Sequence, residues 1–425
     1  MDRLRSLFDD YGQSPWLDNL KRSYLTSGEL ADLVSRGVRG LTSNPTIFQK
    51  AIQGSPDYDE QFSALLDQDE PMIDRYWELV LRDIRGALDV FAPLHAESGG
   101  TDGFVSVEVA PDLAHDTEGT TAAARSLHER IARPNLLVKI PATEEGVPSI
   151  RQMIAEGRSV NVTLIFSLDR YQAVMDAYLD GLDALAEDPA ADLSKVASVA
   201  SFFISRVDTE VDRRLETNGS EEALAARGKV AVAQGKLAYA QFRETFSGER
   251  WERLVARGAR VQRPLWASTS TKNPAYPDTL YVDQLIGPDT VNTLPDTTLE
   301  AFADHGTLER TIDDGVDEAR ALWAALPGLG VDMDDVAEQL EREGVSSFQK
   351  SFDELITAPR TRLGREIAGR ARRIRHPSRP HTGTEDSAVR HVRSSGSRPR
   401  AERFRSRGGW LRRRSEVHDA RSTWM

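Results

Sequence analysis

The sequence of 425 residues contains no cysteine. This absence excludes disulfides, thiolate metal sites and cysteine nucleophiles, and it fits a reducing compartment such as the cytoplasm. No apolar run approaches the roughly 18 residues that a membrane span requires. The first ten residues alternate in charge and contain no apolar segment, so we predict no secretory signal. We therefore expect a cytoplasmic protein with no membrane contact.

Histidines in metal-ligand spacing are also missing. The eight histidines show no His-x-x-x-His pattern or comparable arrangement, so we expect no histidine metal site, although carboxylate-only sites stay open. A Gly-x-Gly-x-x-Gly motif after a strand is absent too, which argues against a dinucleotide-binding domain.

Lysine is scarce, because the chain takes most of its positive charge from arginine. Lys139 is the one lysine inside an uninterrupted apolar run, residues 136–142, which is typical of a strand buried on both faces. Burial favours the neutral amine, which is a nucleophile that forms Schiff bases with carbonyl substrates. The alternative is a lysine at a strand end whose ammonium reaches solvent.

The charge is distributed unevenly. From Arg360 to the end there are 19 arginines, no lysine and 6 acidic residues, a balance of +13. The preceding part has 35 basic and 61 acidic residues, a balance of −26. We therefore predict a folded body, residues 1–358, and a disordered basic tail, residues 359–425. The tail either binds nucleic acid or the acidic body itself through its charge, or is not selected protein sequence. Apart from the tail, no nucleic-acid partner is expected.

Eight strand-like runs alternate with helix-patterned segments over about 290 residues. This alternation predicts an α/β protein, and the number of strands favours a closed (β/α)₈ TIM barrel with extra terminal helices. The runs are residues 14–20, 40–43, 104–109, 135–142, 159–167, 196–205, 261–269 and 291–294. We also predict helices at 27–36, with a capping box of Thr26 and Glu29, and at 71–91, 117–131, 169–186, 208–227, 228–247, 308–326 and 332–355.

Polar residues stand in or directly after most of these runs. They are Asp18, Asn44, Glu108, Asn161, Thr163, Ser201, Arg206, Ser268 and Lys272. In a parallel barrel the carboxyl ends of the strands meet at one mouth, where such enzymes carry their chemistry. We therefore expect these side chains to share one site with Lys139.

Two of the carboxylates have catalytic and structural interpretations. Glu108 is either a structural partner of an arginine or the general acid/base beside a Schiff-base lysine, whose formation and hydrolysis need proton transfer. Asp18 is either a turn residue or the group that takes and returns a hydroxyl proton during carbon–carbon cleavage.

The remaining polar residues have similar alternatives. Asn44, before Pro45, suits a turn, and Thr163 is explained by β-propensity alone. Arg206 and Lys272 are either solvated surface cations or two cations that capture a phosphorylated substrate. The segment 267–274, which includes Ser268, is rich in hydroxyl and backbone donors that suit phosphate.

Six stretches of the chain resemble the transaldolase family, in family order across about residues 10–355. They are residues 40–48, 105–110, 137–146, 161–167, 201–206 and 266–274. The first and third are the specific signatures, and the later ones are similar to the actinobacterial and plant subgroup.

The resemblance implies a metal-free and cofactor-free enzyme of the pentose phosphate pathway. It would transfer a dihydroxyacetone unit from sedoheptulose 7-phosphate to glyceraldehyde 3-phosphate and release erythrose 4-phosphate and fructose 6-phosphate. Lys139 would form the imine on the fourth strand, Glu108 and Thr163 would handle its water and protons, and Asp18 would serve bond cleavage. The resemblance assigns the substrate hydroxyls to Asn44, Asn161 and Ser201, and the phosphate to Arg206.

Ser270 departs from the family pattern, because many relatives carry an arginine there as the second phosphate ligand. We assign that role to Lys272, two positions later. Two other functions stay open: an aldolase that cleaves fructose 6-phosphate without transfer, and a non-catalytic sugar-phosphate-binding barrel. The sequence does not determine the oligomeric state.

Overall fold

The computed structural model describes residues 2–66 and 70–375. Contacts between Cα atoms divide the chain into two units, Met1–Ala368 and Gly369–Met425, and the fold below is that of the first. Eight parallel strands close into a barrel in chain order, which confirms the predicted TIM barrel. The strands are β1 (Gln13–Leu17), β2 (Gly40–Leu41), β3 (Phe104–Glu108), β4 (Leu136–Pro141), β5 (Val160–Ile165), β6 (Ser198–Phe203), β7 (Arg263–Ala267) and β8 (Thr290–Leu294).

Helices surround the barrel in the βαβ pattern. They are α1 (Arg3–Asp9), α2 (Arg22–Ser27), α3 (Glu29–Ser35), α4 (Pro45–Gly54), α5 (Asp59–Leu66), α6 (Met72–Glu97), α7 (Thr117–Ile131), α8 (Gly146–Ala155), α9 (Leu168–Ala186), α10 (Ser205–Asn218), α11 (Glu221–Ala226), α12 (Val230–Thr245), α13 (Gly248–Val255), α14 (Leu280–Asp283), α15 (Asp296–His305), α16 (Val316–Ala325) and α17 (Met333–Arg375). Within the described ranges, no helix combines the length and the apolar composition that a membrane span would need.

All eight predicted strands are confirmed, because each apolar run is buried on both faces as a parallel sheet under helices requires. The barrel register sets Lys139 opposite Glu108 on one side and opposite Asn161 on the other. The pairing of β5 with β6 shifts between Val162 and Ile165. The order of strands therefore brings the predicted site residues to neighbouring positions.

The helix predicted at 27–36 is confirmed as α3, but its predicted capping box is wrong, and the segment predicted as one helix at 208–227 forms two helices. Gly28, with φ 85°, separates α2 from α3, and the Thr26 hydroxyl donates back to the Arg22 and Ser23 carbonyls instead of capping Glu29. The helix predicted at 208–227 is broken at Gly219, with φ 74°, and Ser220 caps the helix that follows. Both glycines adopt the left-handed conformation that ends a helix, and periodicity does not reveal it.

The terminal helices differ from prediction at their ends. The segment predicted as one helix at 308–326 is helical only from Val316. The helix predicted at 332–355 is α17, whose backbone continues to Arg375, beyond the predicted domain boundary at residue 358. The rest of the predicted tail lies outside the described residues, so its predicted disorder stays a prediction.

The buried carboxylate of Asp102 connects several elements near the amino ends of the strands. It accepts hydrogen bonds from Ser14 Oγ at 2.6 Å and Trp16 Nε1 at 3.3 Å. It also forms ion pairs with Arg39 at 2.7 Å and Arg263 at 3.2 Å. This cluster connects β1, β7 and the segments before β2 and β3. It lies at the end of the barrel opposite the carboxyl ends of the strands.

Replacement of Asp102 by alanine is expected to lower the free energy of unfolding by about 3 kcal/mol, because two largely buried guanidinium groups lose their counter-ion. The measurement is denaturant unfolding of the variant beside that of Asp89→Ala, whose carboxylate is exposed and, among the described residues, pairs with Arg133 alone. Asp89→Ala is expected to change stability by less than about 1 kcal/mol. Equal stability of the two variants would show that the cluster does not hold the barrel together.

Candidate active site

A cavity of about 390 Å³ opens at the carboxyl ends of the strands. Its lining includes eight of the ten predicted site residues: Asp18, Asn44, Lys139, Thr163, Ser201, Arg206, Ser268 and Lys272. Glu108 and Asn161 lie behind this lining, each beside one of the lining residues. The strand ends therefore bring the predicted residues into one site, as the barrel architecture suggested.

The Lys139 ammonium is buried at the base of this cavity. Only 6% of its side chain is exposed, and its Nζ lies 3.3 Å from Glu108 Oε2. It also donates a hydrogen bond to the Ser43 carbonyl at 3.1 Å. The alternative in which Lys139 extends to solvent is therefore wrong, as is the alternative in which Glu108 pairs with an arginine.

Glu108 is buried beside its charge partner Lys139. Burial raises the pKa of Glu108, and the charge of Lys139 opposes that shift. The buried Glu108 Oε2 has the Lys139 ammonium as its close polar neighbour, and the buried Thr163 Oγ1 has no hydrogen-bond partner among the described residues. Thr163 lines the cavity with Lys139, so its hydroxyl is placed to contact a small polar species there.

Asp18 follows β1 and lies on the cavity wall. Burial raises the pKa of the Asp18 carboxyl, and the charge of Lys139 opposes the shift. The Thr42 hydroxyl donates to Asp18 Oδ1 at 2.8 Å, and the Thr293 hydroxyl lies 2.6 Å from that of Thr42. A carboxylate that is fixed in place and whose pKa is raised by burial can exchange a proton with a bound hydroxyl.

The two asparagines have structural contacts of their own. Asn44 Oδ1 accepts a hydrogen bond from the Ile47 amide at 3.0 Å and so caps α4. Asn44, directly before Pro45, is therefore both a helix cap and a residue that lines the cavity. Asn161 is fully buried; its Nδ2 donates to Ser106 Oγ at 3.0 Å and its Oδ1 accepts from Ser201 Oγ at 2.8 Å. Asn161 thereby fixes Ser201, which reaches the cavity.

Cationic groups stand at the mouth of the cavity. The Arg206 guanidinium packs 5.0 Å from the Phe203 ring centre, and burial lowers its pKa. Within the described part of the chain, no acceptor bonds to Arg206. Lys272 is exposed and donates to Ser270 Oγ at 2.7 Å. Desolvation and the charge of Arg206 both lower the pKa of Lys272, so the two cations lie close enough to repel each other.

Sequence reasoning missed several wall residues: Thr42, Lys50, Thr293, Ser347 and Phe348. Lys50 stands two residues after the first signature motif, and the helical period from Thr46 would have indicated it. Ser347 and Phe348 belong to α17, which crosses the mouth. A Cβ at Gly344 of α17 would lie 2.9 Å from the Leu164 side chain, so α17 approaches β5 closely. Only tertiary structure reveals that contact.

The loop that carries Lys272 is tied to α10 by two tyrosines. Tyr276 donates to Asp212 at 2.6 Å, and Tyr281 donates to the buried Asp208 at 2.9 Å. Asp208 also accepts from the Ala231 amide at 2.7 Å, at the start of α12. Arg206 lies on α10 as well, so these bonds hold the two cations on one rigid support.

Asp208 is expected to make stability depend on pH. Burial raises the pKa of Asp208 from 3.8 to about 6. The folded state therefore binds this proton more tightly than the unfolded chain, and the resulting stabilisation is full below pH 3.8 and lost as the pH rises to about 6. The free energy of unfolding is measured for Asp208→Asn and for the unmodified chain between pH 4 and 7, and the variant is expected to lack the decrease that Asp208 causes. If the difference in free energy between the two proteins did not change with pH, this role of Asp208 would be contradicted.

The fold and the site have the form of a Schiff-base aldolase: a parallel barrel with a buried lysine on its fourth strand and a carboxylate beside it. Comparison with known proteins gives the family. The family described as Transaldolase/Fructose-6-phosphate aldolase matches residues 15–358. This chain belongs to that family.

Individual relatives agree with this result. A transaldolase of Parafrankia sp. is 53% identical over 83% of this chain and 96% of its own length. A transaldolase of Thermobifida fusca is 53% identical over 82% of this chain and 95% of its own length. A transaldolase of Mycolicibacterium smegmatis is 50% identical over 83% of this chain and 95% of its own length. The recognition of the transaldolase family from its motifs, and of an enzyme of that kind, is confirmed.

Proposed function

We propose that this chain is a transaldolase that moves a dihydroxyacetone unit from sedoheptulose 7-phosphate to glyceraldehyde 3-phosphate. The products are erythrose 4-phosphate and fructose 6-phosphate. The observation that carries the proposal is the Lys139 ammonium, buried 3.3 Å from Glu108 at the base of a cavity with cations at its mouth. Relatives that share about half of their residues with this chain are named transaldolases.

The first step is formation of an imine between Lys139 and the substrate ketone. The Glu108 carboxylate lies 3.3 Å from the Lys139 ammonium, so it is placed to accept a proton from it and leave a neutral amine as the nucleophile. The amine adds to the carbonyl carbon, and loss of one water from the carbinolamine gives the protonated imine. The Glu108 carboxylate and the Thr163 hydroxyl, which has no hydrogen-bond partner among the described residues, handle that water and its protons.

Cleavage of the carbon–carbon bond follows at Asp18. Its carboxylate takes the proton of the hydroxyl on the second carbon from the imine carbon. The bond between that carbon and the carbon adjacent to the imine then breaks, and an aldehyde leaves. The electron pair passes into the protonated imine, which becomes an enamine. The raised pKa of Asp18 suits a group that returns this proton when the acceptor aldehyde reacts.

Transfer requires that the enamine survive until the acceptor binds. The base of the cavity is buried under α17, which supplies Ser347 and Phe348 to the wall, so access of bulk water is restricted. Asn44, Asn161 and Ser201 would hold the hydroxyls of the three-carbon unit, with Asn161 acting through Ser201. Arg206, Ser268 and Lys272 would bind the phosphate, since charge-assisted contacts to phosphate are strong.

The acceptor dependence of cleavage distinguishes transfer from simple aldol cleavage. With fructose 6-phosphate alone, release of glyceraldehyde 3-phosphate is expected to stop after about one equivalent per site. Addition of erythrose 4-phosphate is expected to give continuous release with formation of sedoheptulose 7-phosphate. Equal rates with and without acceptor would identify a fructose 6-phosphate aldolase, and the absence of product in both would identify a non-catalytic barrel.

The wider setting follows from the substrates. We place the enzyme in the cytoplasm with phosphorylated sugars as its partners, with no membrane partner and no nucleic acid apart from the basic tail. The division into a barrel at 1–358 and a tail at 359–425 stays a prediction. The reaction as written needs neither a metal nor an organic cofactor.

A further inference from the structure

The helix α4 presents one face to the active-site cavity. Thr46, Ile47 and Lys50 line the cavity from that face. The Asn44 side chain caps the first turn of the helix. The Thr46 hydroxyl lies 2.8 Å from that of Ser351, and Gln49 donates to Glu354, so both contacts fasten α4 to α17. The position of Lys50 at the cavity mouth is therefore set by the fold.

Lys50 has no counter-ion in the described part of the chain, where no residue forms an ion pair with it or accepts a hydrogen bond from it. Other cations at the surface of this acidic body, such as Arg36 and Arg227, do pair with carboxylates. A lysine that faces a cavity without an acidic partner is placed to meet an anion from solution.

Two more cations line the same cavity. Arg206 also lacks an acceptor among the described residues, and Lys272 bonds only to the neutral hydroxyl of Ser270. Lys50 is among the charges that lower the pKa of Lys272, after desolvation and the charge of Arg206. Three cations that repel one another are stabilised together by a ligand that carries two negative charges.

We propose that Lys50 binds the phosphate group of the sugar substrate, together with Arg206 and Lys272. After β7 the cavity wall carries the uncharged Ser270 beside Lys272, and Lys50 adds a further positive charge from α4 on the wall of the same cavity. This inference rests on the proposed function for the identity of the ligand as a sugar phosphate.

The test compares Lys50→Gln with Lys350→Gln, which removes the same charge from an exposed lysine of α17 that lines a different cavity. Lys50→Gln is expected to raise the KM for fructose 6-phosphate about tenfold or more, the effect of one charge-assisted contact. Its kcat is expected to change by less than about threefold, since the residue lies away from the reacting atoms. Lys50→Arg is expected to restore most of the affinity, whereas Lys350→Gln is expected to leave both constants unchanged.

Binding of inorganic phosphate, measured by calorimetry, separates this inference from the proposed function. Phosphate is expected to bind the unmodified chain and Lys350→Gln alike, and to bind Lys50→Gln about tenfold more weakly, whether or not transfer occurs. Equal phosphate affinity of Lys50→Gln and Lys350→Gln would overturn the role of Lys50. Absence of any transfer by the unmodified chain would instead refute the proposed function. Both glutamine variants change exposed residues, so thermal unfolding near that of the unmodified chain is expected.

Discussion

Replacement of Lys139 by methionine is expected to abolish transfer, with a loss in kcat/KM of at least about 10⁴-fold, as when a catalytic nucleophile is removed. Methionine keeps an unbranched side chain of similar length but cannot form an imine. Electrostatic binding at the cavity mouth is unchanged, so the substrate phosphate should still bind. Activity is measured by coupled detection of glyceraldehyde 3-phosphate released from fructose 6-phosphate in the presence of erythrose 4-phosphate.

The matched control is Lys236→Met, which changes the other buried lysine of the described barrel. Lys236 lies on α12, away from the cavity. It is 9% exposed and donates a hydrogen bond to the Asp314 carbonyl at 2.7 Å. The control variant is expected to lose some stability, but once folded it is expected to keep kcat within about threefold. If Lys139→Met kept more than a few per cent of the activity, the Schiff-base mechanism on this residue would be wrong.

Replacement of Asp18 by asparagine is expected to reduce transfer by about 10²- to 10⁴-fold, the range for a general acid/base. Asparagine has the same shape and still accepts the Thr42 hydrogen bond, but it takes no proton from the substrate hydroxyl. Imine formation depends on Lys139 and Glu108, so trapping of the substrate by borohydride is expected to continue. The variant should therefore accumulate an adduct that keeps the intact sugar chain.

Asp296→Asn is the control for Asp18→Asn. The Asp296 carboxylate lies close enough to Asp18 to raise its pKa, and it accepts hydrogen bonds from Tyr24 and Asn19. The same chemical change at Asp296 is expected to shift the pH profile of transfer slightly and to lower kcat by less than about tenfold. Loss of both transfer and trapping in Asp18→Asn would place Asp18 in imine formation instead of cleavage.

The strands and the central pair were predictable because local sequence determines them. Each strand is an apolar run that is buried on both faces, and one lysine inside such a run stands out. Once β3 and β4 are adjacent in a parallel barrel, Glu108 and Lys139 fall opposite each other. The site was therefore found from chain order and from the rule that barrel strands meet at one mouth.

The features that were missed depend on contacts between distant parts of the chain. Gly28 and Gly219 end helices through a left-handed conformation that the apolar period does not encode. The contribution of α17 to the cavity wall comes from packing across more than 300 residues of sequence. Lys50 stands two residues after a recognised stretch of the chain, but only the tertiary structure shows that it lines the cavity.

Reduction with borohydride in the presence of fructose 6-phosphate tests the central claim most directly. The account predicts one covalent adduct per chain, carrying the three-carbon unit, on the peptide that contains Lys139. Lys139→Met is expected to give none, and Lys236→Met is expected to give the same adduct as the unmodified chain. Absence of an adduct, or an adduct on a different lysine, would contradict the assignment of Lys139 as the imine-forming residue.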